Sequence, residues 1–535
     1  MTRHRFRNLR TTIATLATAA FIAALAVNTV GEAAAERPDD AGPARGLAAI
    51  SELGDRLPAV ARANGLDAPG LRRLFLQDPT LAVDANEELL YIDERPPGEP
   101  EPAGADDGSP EAAPPVTDSV FFLHSLPGAD HTIFLDFDGH TAEGTSWNSS
   151  TNPSITTGPY NTDGDVNAWS SAELNVIQQA WQRVAEDFSP FDVNVTTEDP
   201  GSEALRRSGS GDTQWGVRVV ITPDDWNSCG CGGFAYIGAF DDSTDEPAYV
   251  FNSSLAGVAE AASHEVGHTL GLAHDGLASG TTYYQGHGSG EESWAPLMGA
   301  SYSRLVTQWS RGDYFGANNN GSSANYGNGP DDLAVIASLT NGNGFGYRPD
   351  DHGDTVGAAT ALVGPALVAD GVIEQTTDVD VFTFDAGEGA ALIDIDPATN
   401  RPNLNVRAEL RTAAGSLVAV ADPTSGMDAR FDLSLTAGSY QLIVSGVGAG
   451  SPLTSPPTGY TDYASLGVFT ISGTVQPAGP GDETPPAPPT SVNAAATEGA
   501  VTVSWTVGDE PDLAGHAVYR APVRGGDYTL IASLG

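Results

Sequence analysis

The chain has 535 residues, of which 40% are hydrophobic, so it holds enough apolar side chains to build cores and is not wholly disordered. Its 24 Lys and Arg face 70 Asp and Glu, which gives a formal net charge of −46. A surface this acidic repels phosphate backbones, which argues against nucleic-acid binding. At roughly 100–200 residues per domain, the length predicts about three domains.

The N-terminus has the features of an export signal. Four arginines between Arg3 and Arg10 precede an uncharged, apolar run from Thr11 to Val27, and Ala33–Ala35 offers a small-residue cleavage site. The alternative is an uncleaved membrane anchor, but the run is only about as long as the shortest membrane-spanning helices. We therefore expect residues 1–35 to be a signal peptide, and the mature protein to be secreted, extracellular and free of the membrane.

Residues 36–118 are expected to form a pro-segment and a linker. They are rich in Pro, Ala and acidic residues, with one amphipathic stretch from Leu71 to Tyr91, and Pro96 to Pro115 has the composition of a flexible link. The alternative is a disordered spacer. Because the segment contains no Cys, latency through a thiolate on a metal is excluded.

Residues 119–347 predict an α/β domain. A capping box at Ser170–Glu173 begins one helix, and an Ala-rich helix follows at Leu255–Leu270. Strands are expected at 132–138, 191–197, 217–222, 234–240 and 248–251. This order of elements is typical of a twisted, mostly parallel sheet with crossover helices.

A metal-binding pattern lies in the second helix. His264 and His268 are four residues apart and share one helical face, so both imidazoles can reach one ion, and Glu265 can contact a metal-bound water as general base. Gly271 can end the helix, so that the chain turns back and brings His274 as a third ligand. Three protein nitrogens leave one tetrahedral position open, which is the arrangement of a catalytic Zn²⁺.

The sequence from His264 to His274 reads HExxHxxGxxH and resembles the metzincin metallopeptidases. Asp275, directly after the third His, is similar to the reprolysin (adamalysin) branch. Met298 resembles the Met-turn residue, which in that family lies beneath the metal and shapes the site. Gln308–Gly312 and Asn318-Asn319 are similar to bacterial reprolysin-like secreted proteases, and the resemblance covers about residues 120–345.

The resemblance implies a strand at the edge of the cleft that pairs with an extended substrate. The candidate residues are Gly233, Phe234, Ala235, Tyr236, Ile237 and Gly238. The alternative is an ordinary edge strand that binds nothing. Tyr302 stands four residues after Met298, where the family pattern has a Tyr two residues after Met, so we expect Tyr302 to pack rather than to stabilise an oxyanion.

Three further residues leave alternatives open. Cys229 and Cys231 could form a local disulfide, remain free thiols or bridge to another molecule, and two Cys are too few for a complete Cys-ligated zinc site. His287 stands alone in a Gly-rich loop and is expected to be solvated.

The C-terminal part is expected to consist of all-β sandwich modules. Residues 348–476 contain short alternating strands and resemble the bacterial pre-peptidase C-terminal domain. Asp378 and Asp380 are expected to be exposed turn acids, with a Ca²⁺ site as the alternative. Residues 477–489 are a Pro/Gly linker, and residues 490–535 resemble part of a fibronectin type III domain, which needs about 100 residues.

These patterns together favour a monomeric, secreted zinc endopeptidase that acts on polypeptides. One alternative is an extracellular binding or adhesion protein in which the zinc site is vestigial. Another is a zinc hydrolase that acts on something other than long polypeptides.

Overall fold

The computed structural model describes residues 42–95, 118–318, 326, 329–422, 426–478, 488–497, 500–506, 515–523, 526 and 528–534. The predicted signal peptide, the link Pro96 to Pro115 and most of the linker 477–489 lie outside these residues, as does Asn319. Among the described helices, none combines the length and the apolar character that a bilayer span requires.

Residues 42–95 form a folded unit rather than a disordered spacer. Its elements are β1 (Ala44–Arg45), α1 (Gly46–Leu53), α2 (Leu57–Ala63), α3 (Ala68–Gln77), β2 (Leu81–Val83) and β3 (Leu89–Glu94). Asp67 caps α3 by accepting a hydrogen bond from the Gly70 amide at 2.6 Å. Leu53, Leu71 and Phe75 are buried in the core of this unit. The spacer alternative is therefore wrong for these residues, because the amphipathic stretch builds a core.

The next unit is a sheet with two long helices. Its elements are β4 (His131–Asp136), β5 (His140–Glu143), β6 (Ser154–Thr157), α4 (Ser171–Asp187), β7 (Asn194–Thr196), β8 (Trp215–Ile221), β9 (Cys231–Tyr236), β10 (Ala248–Val250), α5 (Leu255–Thr269), β11 (Trp294–Pro296), β12 (Val306–Gln308) and α6 (Asp332–Ile336). The predicted capping box is present at Ser170 and Glu173. Strands β7, β4, β8 and β10 are parallel neighbours, and β9 is antiparallel to β10.

The strand expected at the edge of the cleft is not at an edge. The full sheet runs β1-β2-β3-β9-β10-β8-β4-β7, so β9 lies between β10 and the N-terminal strand β3. Ile237 and Gly238 lie beyond the end of β9, and Gly238 has a left-handed φ of 73°. The prediction of a free edge is wrong for this chain, because the N-terminal unit adds three strands there.

The described residues of 360–474 form two large sheets that share a core, and a separate hairpin. The strands are β13 (Thr360–Ala361), β14 (Ala366–Ile373), β15 (Asp380–Ala386), β16 (Gly389–Pro397), β17 (Val406–Thr412), β18 (Leu417–Ala421), β19 (Ala429–Leu435), β20 (Gly438–Gly446), β21 (Ala449–Ser451), β22 (Thr458–Tyr460) and β23 (Gly467–Thr474). The hairpin pairs β21 with β22. One sheet has the order β13-β15-β20-β17-β18, the other β14-β23-β16-β19. Phe382, Ile393, Leu442 and Ile471 are buried between them.

Two hairpins follow the double-sheet unit. They pair β24 (Thr490–Thr497) with β25 (Ala500–Thr506), and β26 (His516–Arg520) with β27 (Thr529–Leu534). Most of their described side chains are exposed. The relation of these residues to a fibronectin type III domain stays a prediction.

The double-sheet unit contacts the two long helices through buried carboxylates. Glu186, in the last turn of α4, accepts hydrogen bonds from the backbone amides of Asn403 (3.1 Å) and Val468 (3.3 Å). The next residue, Asp187, accepts from the Asn403 side chain at 2.8 Å and from Ser263 of α5 at 2.5 Å. The double-sheet unit therefore supports the helix that carries the metal-binding pattern.

This contact makes stability depend on pH. Burial raises the pKa of Glu186 to about 7 from 4.5, although the three backbone amides around it act in the opposite direction. Because the folded protein holds this proton more tightly, the free energy of unfolding should fall as pH rises from about 4.5 to above 7, by up to about 3 kcal/mol. We expect Glu186→Gln to flatten that dependence, measured by urea unfolding at pH 5 and pH 8. The exposed Glu143→Gln is the control, and an equal slope in both variants would contradict the assignment.

Candidate metal centre

Helix α5 holds the first part of the centre rigidly. Ser254 caps the helix by accepting from the Gly257 amide at 3.0 Å, and the helix ends at Thr269. Nearly all its residues are buried, including His264, Glu265 and His268 in the final two turns. Buried polar side chains need hydrogen-bond partners or a bound ion. The arrangement of these three side chains therefore indicates which ligand they can bind.

The chain reverses directly after the helix. Gly271 has a φ of 91°, in the left-handed region, and its amide donates to the His268 carbonyl at 2.9 Å. This turn brings the third imidazole back, and the Nε2 atoms of His268 and His274 are 3.1 Å apart. The structure thus places His264, His268 and His274 around one point.

Each imidazole is oriented by the partner of its Nδ1 atom. The acceptors are the Leu297 carbonyl for His264 (2.8 Å), the Leu272 carbonyl for His268 (2.9 Å) and an Asp78 carboxylate oxygen for His274 (2.8 Å). A carbonyl or carboxylate only accepts, so each Nδ1 must carry the hydrogen. The three Nε2 lone pairs are then free to bind a cation.

The carboxylate of Asp93 in β3 faces the three imidazoles. Its Oδ2 lies 3.3 Å from His264 Nε2 and 3.1 Å from His268 Nε2, and its Oδ1 lies 3.2 Å from His274 Nε2. The sequence predicted an open fourth metal position, and the structure places the Asp93 carboxylate beside the three imidazoles; whether the position is open stays a prediction. A residue about 170 positions upstream supplies the carboxylate, so the local motif could not reveal it.

The four side chains fit a tetrahedral metal ion. Zinc binds imidazole nitrogen and carboxylate oxygen at about 2.0–2.2 Å, so two such donors in a tetrahedron are about 3.3 Å apart. The observed separations of 3.1–3.3 Å agree with that spacing. All four residues are buried, and three imidazoles with one carboxylate are a donor set that zinc takes.

The charges at the centre also favour a cation. Burial lowers the pKa of His268 to about 4, so this imidazole is neutral at neutral pH. Burial also acts against the charge on His274, but the carboxylates of Asp78 and Asp93 outweigh it and raise the pKa of His274 to about 10. The negative charge of Asp78 and Asp93 therefore favours a positive charge among the imidazoles, which a bound metal ion would supply.

Glu265 lies between the metal centre and β9. A Cβ on Gly233 would overlap Glu265 Oε1, so a glycine is needed for the strand to pass this close. Gly233 is also the register partner of Asp93, which brings both carboxylates together. Burial, and then the charge of Asp93, raise the pKa of Glu265 well above its usual range.

Met298 and Asp275 lie behind the imidazoles. The Asp275 amide donates to the Met298 carbonyl at 2.7 Å, and Met298 is fully buried with its sulfur against Gly267 of α5. Burial raises the pKa of the Asp275 carboxyl to about 7. Tyr302 packs, half-buried, against the core, and it is near enough to Asp93 and Glu265 for their charges to add to the burial that raises its pKa.

The N-terminal unit and a loop add contacts that sequence reasoning missed. The Tyr283 hydroxyl donates to Asp93 Oδ1 at 2.7 Å. The Tyr91 ring centroid is 4.2 Å from those of both His268 and His274. One feature of the sequence could have pointed to Asp93. It stands directly after the apolar run 89–92, in a segment that has no Cys.

Two other sequence expectations are resolved by the structure. Cys229 and Cys231 form a disulfide, which is the first of the three alternatives. His287 is buried rather than solvated, because its Nδ1 pairs with the Tyr284 hydroxyl at 2.8 Å and its Nε2 with the Gly459 carbonyl at 2.7 Å. The expectation for His287 was wrong because Gly459 lies in a distant part of the chain.

A second acidic group lies in the double-sheet unit. Asp378 and Asp380 are buried, so the expectation of exposed turn acids was wrong. Oxygens of Asp350, Asp378 and Asp380 lie within 4.8 Å of one another, as do those of Asp350, Asp351 and Glu374. Burial and like charges raise the pKa values of Asp380 and Glu374 to about 9.

The segment that carries the three imidazoles matches a known protein family. Residues 166–275 match the family model of metallo-peptidase family M12B, reprolysin-like. The match includes His264, Glu265, His268, His274 and Asp275, and it does not include Asp93. This segment is therefore similar to the metallopeptidases of that family, as the sequence motif indicated.

Two similar solved structures each cover less than a quarter of the chain. The pre-peptidase C-terminal domain of a collagenase from Bacillus anthracis is 16% identical with a TM-score of 0.16, and covers 24% of this chain and 98% of that one. The periplasmic inhibitor of g-type lysozyme from Aeromonas hydrophila is 12% identical with a TM-score of 0.15, and covers 22% and 97%. No curated protein sequence matched the chain.

The convergence of the imidazoles predicts the stoichiometry of metal binding. We expect the purified protein to hold about one zinc per chain, and His268→Ala to lose it, since two imidazoles and a carboxylate leave the ion without a fourth protein ligand. Metal content after gel filtration is the measurement. His124→Ala, which removes an imidazole paired with Glu198, should keep the zinc. Full zinc in His268→Ala would contradict the site.

Proposed function

We propose that this chain is a secreted, zinc-dependent endopeptidase. The observation that carries the proposal is the convergence of three buried imidazoles on one point, with Glu265 beside them, in a segment that matches a metallopeptidase family. Secretion rests on the predicted signal peptide at residues 1–35, and the monomeric state stays a prediction.

The mechanism assigns one role to each group. A zinc ion held by His264, His268 and His274 would acidify a water molecule and polarise the scissile carbonyl. Glu265 accepts the proton of the attacking water and then delivers it to the leaving amine. Its place beside the imidazoles, against Gly233 of β9, supports that role. The Leu297 and Leu272 carbonyls keep two of the imidazoles in the ligating tautomer.

The polypeptide substrate is proposed to bind along β9, in the place that β3 holds in this structure. This strand lies directly against α5, and Gly233 passes next to Glu265, so a backbone paired with β9 would run past the catalytic carboxylate. Pairing by main-chain hydrogen bonds favours extended polypeptides of varied sequence. An exopeptidase would release only terminal residues, which product analysis by mass spectrometry distinguishes.

The alternative of an adhesion protein with a vestigial site has less support. A centre that had lost its chemistry would have no need for a buried carboxylate at position 265, and an uncompensated carboxylate there costs folding free energy. Chelator-sensitive hydrolysis of casein that zinc restores would exclude this alternative.

We also propose a calcium ion in the double-sheet unit. Asp380 is fully buried, and neither of its carboxylate oxygens has a hydrogen-bond partner among the described residues. Asp350, Asp378 and Glu374 bring further carboxylates to the same place. Calcium takes six to eight oxygen ligands at 2.3–2.6 Å and would compensate this charge.

Replacing the proposed base tests the mechanism. We expect Glu265→Gln to keep one zinc and to lose at least about 100-fold in kcat, because the amide cannot accept the proton. Casein hydrolysis by the full, zinc-loaded chain measures this loss. Glu291→Gln, a change at an exposed position, is the control. Full turnover in Glu265→Gln would rule out the role of Glu265.

Calcium should stabilise the double-sheet unit. Adding Ca²⁺ should raise the melting temperature of the full chain, since an ion that binds only the folded state stabilises it by mass action. Asp380→Asn should reduce this response, whereas Asp432→Asn, at an exposed position on β19, should keep it. Differential scanning calorimetry with and without a calcium chelator measures both. Identical responses in the two variants would show that Asp380 does not bind calcium.

A further inference from the structure

We infer that Tyr283 is a further catalytic residue, whose hydroxyl donates a hydrogen bond to the substrate oxygen that becomes negatively charged during hydrolysis. The inference rests on the proposed function, since it names a group that acts in the same reaction. Tyr283 lies outside the motif from His264 to His274, and the family match ends at residue 275. Its contacts in the structure are therefore what point to it.

The Tyr283 hydroxyl lies at the point where the imidazoles converge. It donates to Asp93 Oδ1 at 2.7 Å, and the same oxygen is 3.2 Å from His274 Nε2. The Tyr283 ring also lies against the His274 ring, with 4.4 Å between the two centroids. One oxygen atom therefore contacts both an imidazole of the centre and a phenol hydroxyl.

The Asp93 carboxylate has the composition of the group that reacts. It carries two oxygens and one negative charge on a single carbon. When water adds to a peptide carbonyl, the carbon likewise carries two oxygens, one from the water and one from the carbonyl, and the carbonyl oxygen gains negative charge. The two carboxylate oxygens therefore mark the places that those two oxygens can take.

The two oxygens of Asp93 face different groups. Oδ2 lies 3.3 Å from His264 Nε2 and 3.1 Å from His268 Nε2, on the helix that also carries Glu265. Oδ1 lies beside Tyr283. The attacking water is thus expected on the side of Glu265, its proposed base, and the carbonyl oxygen on the side of the phenol. A phenol hydroxyl has a pKa of about 10, so Tyr283 keeps the proton that it donates.

The backbone next to Tyr283 is held by its own part of the chain. The Tyr284 amide donates to the Asp275 carbonyl at 2.8 Å, and the Tyr284 carbonyl accepts from the Ala300 amide at 3.0 Å. The Tyr284 ring stacks on Tyr314, with centroids 4.5 Å apart. All these contacts lie C-terminal to the third imidazole. The N-terminal unit is therefore not needed to hold this backbone beside the centre.

A catalytic donor and a packing residue differ in what their loss changes. Removing one positioned donor to an oxyanion lowers kcat about 100- to 1,000-fold in a well-studied protease, because the charge is present only in the transition state. Removing a packing residue lowers stability or metal content instead. Tyr302 packs, half-buried, against the core near the same centre, which makes Tyr302→Phe the matched control.

The donor role is tested by anion binding, without any turnover. The full-length Asp93→Ala chain, loaded with Co²⁺, is titrated with acetate, which brings two oxygens to the space that the side chain leaves. Adding Tyr283→Phe should weaken acetate binding at least about tenfold, as read from the visible spectrum, because a hydrogen bond to a charged oxygen is lost. Adding Tyr302→Phe should not. Equal affinities in all three chains, or no acetate binding to Asp93→Ala, would overturn the inference.

The catalytic role is tested by kinetics on the full, zinc-loaded chain. Tyr283→Phe alone should lower kcat for casein at least about tenfold, with KM within about twofold and one zinc retained. Tyr302→Phe should keep both constants. An unchanged kcat in Tyr283→Phe, or a loss of activity that follows a loss of zinc, would contradict the role. This measurement decides the question if Asp93→Ala does not fold.

The failures of the two proposals are distinguishable. If the unchanged chain hydrolyses casein and Tyr283→Phe is equally fast, the role of Tyr283 is wrong and the endopeptidase stands. If Tyr283→Phe weakens acetate binding but the unchanged chain hydrolyses no polypeptide, the endopeptidase is wrong. The catalytic role of Tyr283 is then wrong with it, although its hydroxyl binds an anion at the centre.

Discussion

Three imidazoles buried at one point constrain the rest of this structure, because each must keep its Nε2 unprotonated and aimed at the same place. In a low-dielectric interior, an imidazole left without a partner for Nδ1 would rotate or change tautomer. The Leu297 and Leu272 carbonyls prevent this for His264 and His268. Leu297 and Met298 lie in the same loop. The hydrogen bond from His264 to the Leu297 carbonyl therefore also holds Met298 in place.

The same constraint extends to the double-sheet unit. Helix α5 cannot shift without moving His264, and Ser263 ties it to Asp187, which in turn accepts from Asn403. Arg401 lies 3.7 Å from Glu260, one turn earlier on α5. The C-terminal unit therefore braces the back of the metal centre, and its contribution is positional rather than chemical.

The N-terminal unit acts on the front of the same centre. Its three strands extend the sheet past β9, and its two carboxylates, Asp78 and Asp93, contact the imidazole of His274. The N-terminal unit thus covers a strand edge that would otherwise be unpaired, and it brings negative charge to the buried imidazoles.

The sequence by itself determined the features that depend on local geometry. The spacing of His264 and His268 sets them on one helical face, Gly271 allows the left-handed turn, and Ser170 with Glu173 begins α4, since each of these depends on neighbours within about one turn. Only the tertiary structure decided that Asp93 lies beside the three imidazoles, that β9 lies inside the sheet, and that His287 and Asp380 are buried. Each of these depends on residues far apart in the chain. Local periodicity does not show which strands pair with each other, nor which charged side chains that pairing brings together.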